Sequence, residues 1–372
     1  MTNAPQMSRA HIHLDRSLSL ASQPDKGHNR WHPDISPALR VPPGSFVELE
    51  TLDALDGQIQ PGTTAGDLAV DLNRVHPLTG PVYVEGSEPG DLLAVHIEKI
   101  ETASSAFTAI LPGFGYLRDL FPTPFLMQWD LAGGYATSKD LPGVCIPGAP
   151  FMGVMGVAPS QELMQRIVTR EAGLASRGGF VLPPEPAAAV PAETAIAASA
   201  FRTIAPHENG GNFDIKQLVA GSTLYLPVYV PGALFSVGDT HFAQGDGETC
   251  GTAIETSSTF VARLELLKGE AQRRNQIDPS FAYTAQASSK RRFYATTGIC
   301  VRKDGRNESE DLNVACRNAL LNMIDYIGDS RGYSREQAYA LTSVAVNLRV
   351  SQVVDVPNLV ISAFLPLDIF ES

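Results

Sequence analysis

Period-two alternation of apolar and polar positions dominates most of this chain and predicts strands. Residues 45–50 (SFVELE) alternate, as do 82–85 and 92–97, and each segment predicts a strand with one buried face. Turn signals stand between them at Asp56-Gly57, Thr79-Gly80-Pro81 and Glu88-Pro89-Gly90-Asp91. Further on, STLYLPVYV (222–230) and ALFSVGDTH (233–241) flank Pro231-Gly232 in the manner of a hairpin. CGTAIETSSTFVARLELL (250–267) then alternates over a long stretch.

Helical periodicity is concentrated late. Leu320, Met323, Ile324 and Ile327 share one face of a helix predicted over 312–327. Ser334 with Glu336 and Gln337 has the form of a capping box before a second helix. An earlier helix is predicted over 161–175, with Ser160 as its N-cap. Residues 178–199, rich in Pro, Ala and Glu, predict an exposed excursion. Residues 111–157 are rich in Gly, Pro and bulky apolar side chains, which suits loops and short strands over a site. The pattern predicts a β-rich α+β fold. Its parts are an N-terminal β-rich part with an N-terminal arm over 1–175, an excursion over 176–200, and strands followed by a C-terminal α/β part over 201–372.

Composition narrows the function. The net charge of −12 argues against nucleic acid or an anionic membrane as partner. No apolar run reaches the ~18 residues that would span a bilayer, and the N-terminus has no apolar signal core, so a cytoplasmic location is expected. The 4 cysteines are scattered without CxxC spacing, which disfavours a thiolate zinc site. Cys145, in the loop VCIPGAP, stands as an alternative nucleophile, although a small buried hydrophobe is the commoner role.

The densest chemistry lies in GDTHFAQGDGE (238–248). Strand alternation places Asp239 and His241 on one face, about 7 Å apart at the backbone. Asp246-Gly247 is a tight-turn signal, after which Glu248 returns. A carboxylate, an imidazole and a second carboxylate converging on one point suit a divalent cation or a small polar substrate. Two further clusters accompany it. In HNRWHPD (28–34), His28 and His32 are candidates to hold substrate or metal; the plainer alternative is a tucked arm anchored by Trp31. In HENGGNFD (207–214), Gly210 and Gly211 allow close approach of backbone to a ligand, flanked by Asn212 and Asp214. No nucleophile elbow, Walker loop or dinucleotide fingerprint is present.

Taken in order, HNRWHPDI (28–35), ETLDALDGQI (50–59), HPLTGPVYVEGSEPGDLLAVHI (76–97), RTIAPHENGGNFDI (202–215), GDTHFAQGDGE and CGTAIE (250–255) resemble the acetamidase/formamidase family. The HNRWHPDI arm and the wording HFAQGDGE look like its longer, formamidase-like branch; ETLDA looks like the shorter acetamidase branch. The resemblance implies a β-sandwich or barrel core with a smaller α/β part. It implies hydrolysis of a small amide to carboxylate and ammonia, a bound divalent metal with zinc as the expected ion, and a homo-oligomer. A cyclic amide on the same site is the alternative substrate, and a non-catalytic ligand-binding sandwich the alternative class.

With no Ser/Lys or Cys/Glu/Lys signature, metal-activated water is the economical nucleophile. The expected ligands are Asp239 and His241, completed by Asp53 or Asp214. Glu248 is the expected general base, with Asp246 as its rival for that role. Asn212 and the backbone of Gly210 and Gly211 are expected to hold the oxyanion, and His28 and His32 to bind substrate.

Overall fold

The computed structural model describes residues 9–284, 291–354 and 356–371. Two sheets face one another. The first has 6 strands in the order Arg9–Ile12, Phe46–Thr51, Ser258–Leu267, Leu92–Thr102, Thr223–Pro227 and Ser280–Ala282. The second has 11 strands; at its centre Phe235–His241 pairs with Phe151–Gly156, Leu78–Val84 and Glu255–Thr256. Alternation turns Val47, Leu49, Val95, Phe260 and Leu264 of one sheet towards Val82, Met152, Phe235 and Val237 of the other. These side chains are sealed from solvent, and each contributes about 1.5–3 kcal/mol by burial.

Strands from both sides of the 176–200 segment interleave in both sheets. A third, antiparallel sheet of Phe293–Gly298, Val360–Pro366 and Asn347–Gln352 lies near the C-terminus. The helices Leu312–Arg331 and Arg335–Ala345 join it in one core with the end of the second sheet. Ser334 caps the second of these with a complete capping box through Gln337. Ser160 likewise caps Gln161–Ala175. The architecture is β-rich α+β, as the alternation predicts, and its two facing sheets form the sandwich that the family resemblance implies.

Local expectations fail where the chain changes sheets. The strands Thr223–Pro227 and Phe235–His241 are not a hairpin, because they belong to different sheets. Gly232, Ala233 and Leu234 all adopt positive φ, and this tight crossover carries the chain from one sheet to the other. The alternation over 250–267 is likewise cut at Ser257 into Glu255–Thr256 in the second sheet and Ser258–Leu267 in the first. Where these paths part, Thr51, Thr240 and Ser258 close a buried hydroxyl triangle with edges of 3.0, 3.1 and 2.7 Å, so each hydroxyl is satisfied without water.

The excursion is seated rather than free. Arg30 is wholly buried, and its guanidinium donates to the carbonyls of Glu185 and Ala187 from the excursion and of Asn29 and Asn73. Asn29 exchanges backbone and side-chain bonds with Val190.

Candidate functional site

Asp239 and His241 end the central strand, both almost completely buried. His241 Nε2 lies 3.1 Å from Asp239 Oδ1 and 3.3 Å from Glu255 Oε2. Glu255 arrives by strand register, directly opposite His241. Glu248 returns after the Asp246-Gly247 turn, with Oε1 3.9 Å from His241 Nε2. His76, at the start of the neighbouring Leu78–Val84 strand, puts Nε2 3.9 Å from Asp239 Oδ2. Asp214 follows the Gly210–Asn212 strand, its N–H donating to Gly153 O at 3.3 Å.

Gly153 makes room for this cluster. A Cβ there would lie 2.3 Å from Asp239 Oδ2 and 2.6 Å from Asp214 Oδ1. Asp214, Asp239 and Glu248 all sit in the left-handed region, at φ 49°, 59° and 41°. That conformation costs a non-glycine residue of order 1 kcal/mol or more, and backbone strain of this kind collects at functional sites.

Four carboxylates thus surround two imidazoles in a buried space. Burial pushes Asp214 and Glu255 up to about 7, against the His241 charge, which lowers both, and with the Asp239 charge, which raises both. Burial and the Asp214 carboxylate hold Glu248 well above the usual carboxylate range. For Asp239 burial is outweighed by His241 and His76, so its carboxyl stays below that range. For His241 burial is outweighed by Glu255 and Asp239, and its pKa rises. Burial lowers His76. An acid-rich cluster of this kind is relieved by a cation.

The donors fit one. Atoms of Asp214, Asp239 and His241, and of His241, Glu248 and Glu255, form two groupings, each within 4.8 Å. Asp214 Oδ1, Glu255 Oε2 and His76 Nδ1 are buried without a hydrogen-bond partner. Oxygen and imidazole donors suit a divalent ion of the zinc type. The cluster lines a cavity of about 180 Å³ together with Leu55, Val75, Leu111, Phe114 and Ile204. A larger cavity of about 320 Å³ lies beyond Gln244, lined by Lys216 and Asn347, and holds none of these carboxylates.

Of the residues singled out in the sequence, the structure brings Asp239, His241, Asp214, Glu248 and Asn212 together at the cavity or its buried floor. Asn212 presents Oδ1, because its Nδ2 donates to Ile204 O at 3.1 Å. It therefore offers an acceptor there rather than an oxyanion donor. Gly210 and Gly211 are strand residues at φ +100° and +106°, and the Gly210 N–H is taken by His207 O.

The others lie elsewhere. The Asp53 carboxylate accepts from the Leu55 and Gly57 N–H groups, forming the turn that carries Leu55. Asp246 faces Lys216 at 3.5 Å and Arg349 at 3.9 Å. His28 bonds to Ser236 Oγ at 2.7 Å and to Arg30 O, and burial lowers its pKa to about 4. His32 bonds to Ser199 Oγ and the Asp34 N–H. Cys145 sits on the short Cys145–Pro147 strand, away from the cavity lining.

His76, Glu255 and Gly153 carry little signal in a single sequence. Glu255 follows from strand register, which needs the pairing partner. His76 heads a strand far away in sequence.

The sequence profile of the Acetamidase/Formamidase family matches residues 13–372. A formamidase of Methylophilus methylotrophus is 36% identical over 381 residues, covering 97% of this chain and 93% of that protein. An acetamidase of Mycolicibacterium smegmatis is 37% identical over 357 residues, covering 88% and 87%. Among solved structures, a gamma lactamase from Delftia acidovorans matches with a TM-score of 0.93 at 37% identity, covering 98% and 94%. Fold, site and relatives define a hydrolase of carbon–nitrogen bonds other than peptide bonds. The chain belongs to the acetamidase/formamidase family.

Proposed function

We propose that the chain hydrolyses a small amide to a carboxylate and ammonia in the cavity beside His241. The observation that carries this reading is the convergence of Asp214, Asp239, His241, Glu248 and Glu255 on one buried space. Asp214, Asp239, His241 and Glu255 would hold a divalent cation, zinc being the ion their donors suit. When bound, such an ion polarises a carbonyl oxygen and acidifies water.

The chain's own residues supply the rest. Glu248 has its pKa raised by burial and by Asp214, so its carboxylate is the stronger base that would take a proton from water, and the carboxyl so formed would return it to the departing nitrogen. Asn212 Oδ1, buried and unpartnered, accepts from the substrate N–H. His76 orients Asp239. His28 and His32 hold the arm, Asp53 shapes its turn, and Asp246 leaves the role of base to Glu248. The backbone of Gly210 and Gly211 lets the Asn212–Asp214 segment approach closely.

A second reading, hydrolysis of a cyclic amide at the same site, is favoured by the likeness to the gamma lactamase. We further place the protein in the cytoplasm, consistent with its free thiols, as a homo-oligomer whose exposed Val353, Val354 and Val356 a second copy would cover. Among the described residues no helix is long and apolar enough to cross a membrane.

The test is ammonia release from formamide, acetamide and propionamide, and ring opening of a bicyclic γ-lactam. It is run on the purified protein, after chelation, and after restoring Zn²⁺. Turnover that is lost on chelation and regained with zinc supports the reading. Absence of turnover on every substrate under all three conditions overturns it.

A further inference from the structure

We infer that the larger cavity beyond Gln244 is a binding site for an organic carboxylate, held by Lys216 and Asn347 with its apolar part against Phe293 and Ile369. The cavity has a volume of about 320 Å³. Lys216 and Arg291 line it and, among the described residues, no aspartate or glutamate does. In a chain of net charge −12 that is a local reversal of sign. The ion pairs at this wall point the same way. Asp246 serves both Lys216 at 3.5 Å and Arg349 at 3.9 Å, while Arg291 is paired with Asp368 at 2.7 Å. Three cations share two carboxylates, and one positive charge is left over. Arg291 and Arg349 lie near enough for their charges to act on Lys216, so an anion beside its ammonium relieves that repulsion.

Donors are available at that wall. Asn347 Oδ1 accepts from Lys216 Nζ and from the Asp246 N–H at 3.1 Å. This fixes the amide, so Asn347 Nδ2 is a donor without a partner among the described residues, on a side chain that lines the cavity. Lys216 Nζ carries three hydrogens; Asn347 takes one, and Asp246 is only loosely placed for a second. An ammonium and an amide N–H₂ side by side match the two oxygens of a carboxylate. Ile146, Phe293, Val344, Pro366 and Ile369 offer apolar surface to the rest of the ligand. Gln244 links the cavity to the buried cluster: it lines the one, and its amide is bonded to His241 Nδ1 and Asp214 O of the other. The site stands without the amide-hydrolase reading. Under that reading its ligand is of the class the reaction releases, bound one side chain away from the centre.

The experiment is calorimetric titration of the full chain with benzoate, with its neutral analogue benzyl alcohol and with inorganic phosphate. It is run on protein stripped of metal by chelation and dialysis, where the acid-rich cluster repels anions, and again after Zn²⁺ is restored. Benzoate should bind in both states, about tenfold or more tighter than benzyl alcohol or phosphate. Lys216→Met, which keeps the apolar stem, should weaken benzoate by about tenfold or more and leave benzyl alcohol unchanged. Asp246→Asn, which removes a carboxylate from beside the same ammonium, should strengthen benzoate by about threefold. The opposite signs separate a binding site from damage to the fold, and Asp246→Asn reads the site alone if Lys216→Met does not fold. Benzoate bound in this pattern by a protein that hydrolyses no amide would retain the site and remove the amide reading. Benzoate bound no tighter than benzyl alcohol or phosphate, bound only when Zn²⁺ is present, or bound equally by wild type and both variants overturns the site.

Discussion

Gln244 Oε1 accepts a hydrogen bond from His241 Nδ1 at 2.8 Å. The amide cannot be turned round, because Gln244 Nε2 donates to Asp214 O at 2.9 Å. His241 thereby keeps a proton on Nδ1 and turns Nε2 to the carboxylates, the arrangement a metal ligand requires once the Nε2 proton is displaced. Gln244→Leu should weaken Zn²⁺ binding by about 10–100-fold, as measured by competition with a chromogenic chelator. Gln244→Glu keeps the acceptor and should recover most of that affinity. Equal affinity in wild type and Gln244→Leu would dissociate the amide from cation binding.

Gly153 offers a steric test of the same centre. A methyl group there would land within 3 Å of both Asp239 Oδ2 and Asp214 Oδ1, and both acids are already in strained backbone. Gly153→Ala should therefore abolish cation binding by displacing the two carboxylates, while the apolar contacts between the sheets persist. Metal content after dialysis, read beside the near-ultraviolet circular dichroism, separates this from unfolding. A folded variant with its full complement of metal would show that these carboxylates are not ligands.

The proposed reading gives Glu248 a proton to carry rather than a ligand bond. Glu248→Gln should retain bound cation and lower kcat by about 10²–10⁴-fold with little change in KM. Asp246→Asn, which alters the contacts to Lys216, Arg349 and Gln217, should stay within about threefold of wild type. Loss of metal from Glu248→Gln would exchange its role with that of Glu255.

Much of this centre is legible in the sequence. The Asp239/His241 spacing follows from the pleat, and the Asp246-Gly247 turn announces the return of Glu248. Glu255 was not legible, because its approach to His241 depends on pairing between strands 14 residues apart whose intervening loop has no fixed geometry in sequence. His76 is further removed, carried by a strand that pairs with residues 235–238. Asp53 and Asp246 lie apart from the cluster, and one ambiguity hides this: an acid at a turn looks the same in sequence whether it closes the turn or binds an ion. The histidines of the arm were ambiguous because a buried imidazole with two satisfied nitrogens is chemically quiet, as His28 is. The failed hairpin at Pro231-Gly232 shows the limit of turn signals, which mark a change of direction but not the sheet that receives the chain.

Arg30 tests how the arm is held. Its guanidinium serves carbonyls of the excursion and of Asn29 and Asn73, and burial lowers its pKa to about 10. Arg30→Met would strand these acceptors, each at a cost of about 1–3 kcal/mol. A clear fall in melting temperature is expected, with limited proteolysis cutting first within 178–199. A variant that melts with wild type and resists cleavage equally would show that the excursion is held by its other contacts.

The buried acids also predict how the metal-free protein responds to pH. Glu255 has a pKa of about 7 in the folded chain, against an ordinary value of 4.5. A carboxyl whose pKa rises on folding favours the folded state while protonated, so its contribution is complete below pH 4.5 and is lost as pH rises through about 7. Glu255→Gln removes this titration. The stability of wild type relative to the variant, measured by urea denaturation with chelator present, should therefore fall by roughly 3 kcal/mol between these two pH values. The slope is the prediction, since a constant offset would reflect only the lost contacts of the side chain. Zinc should reverse the trend above pH 6, because the deprotonated cluster is the form that binds it. A pH-independent difference between the two proteins would mean that Glu255 is ionised in the metal-free fold and that His241 alone neutralises it.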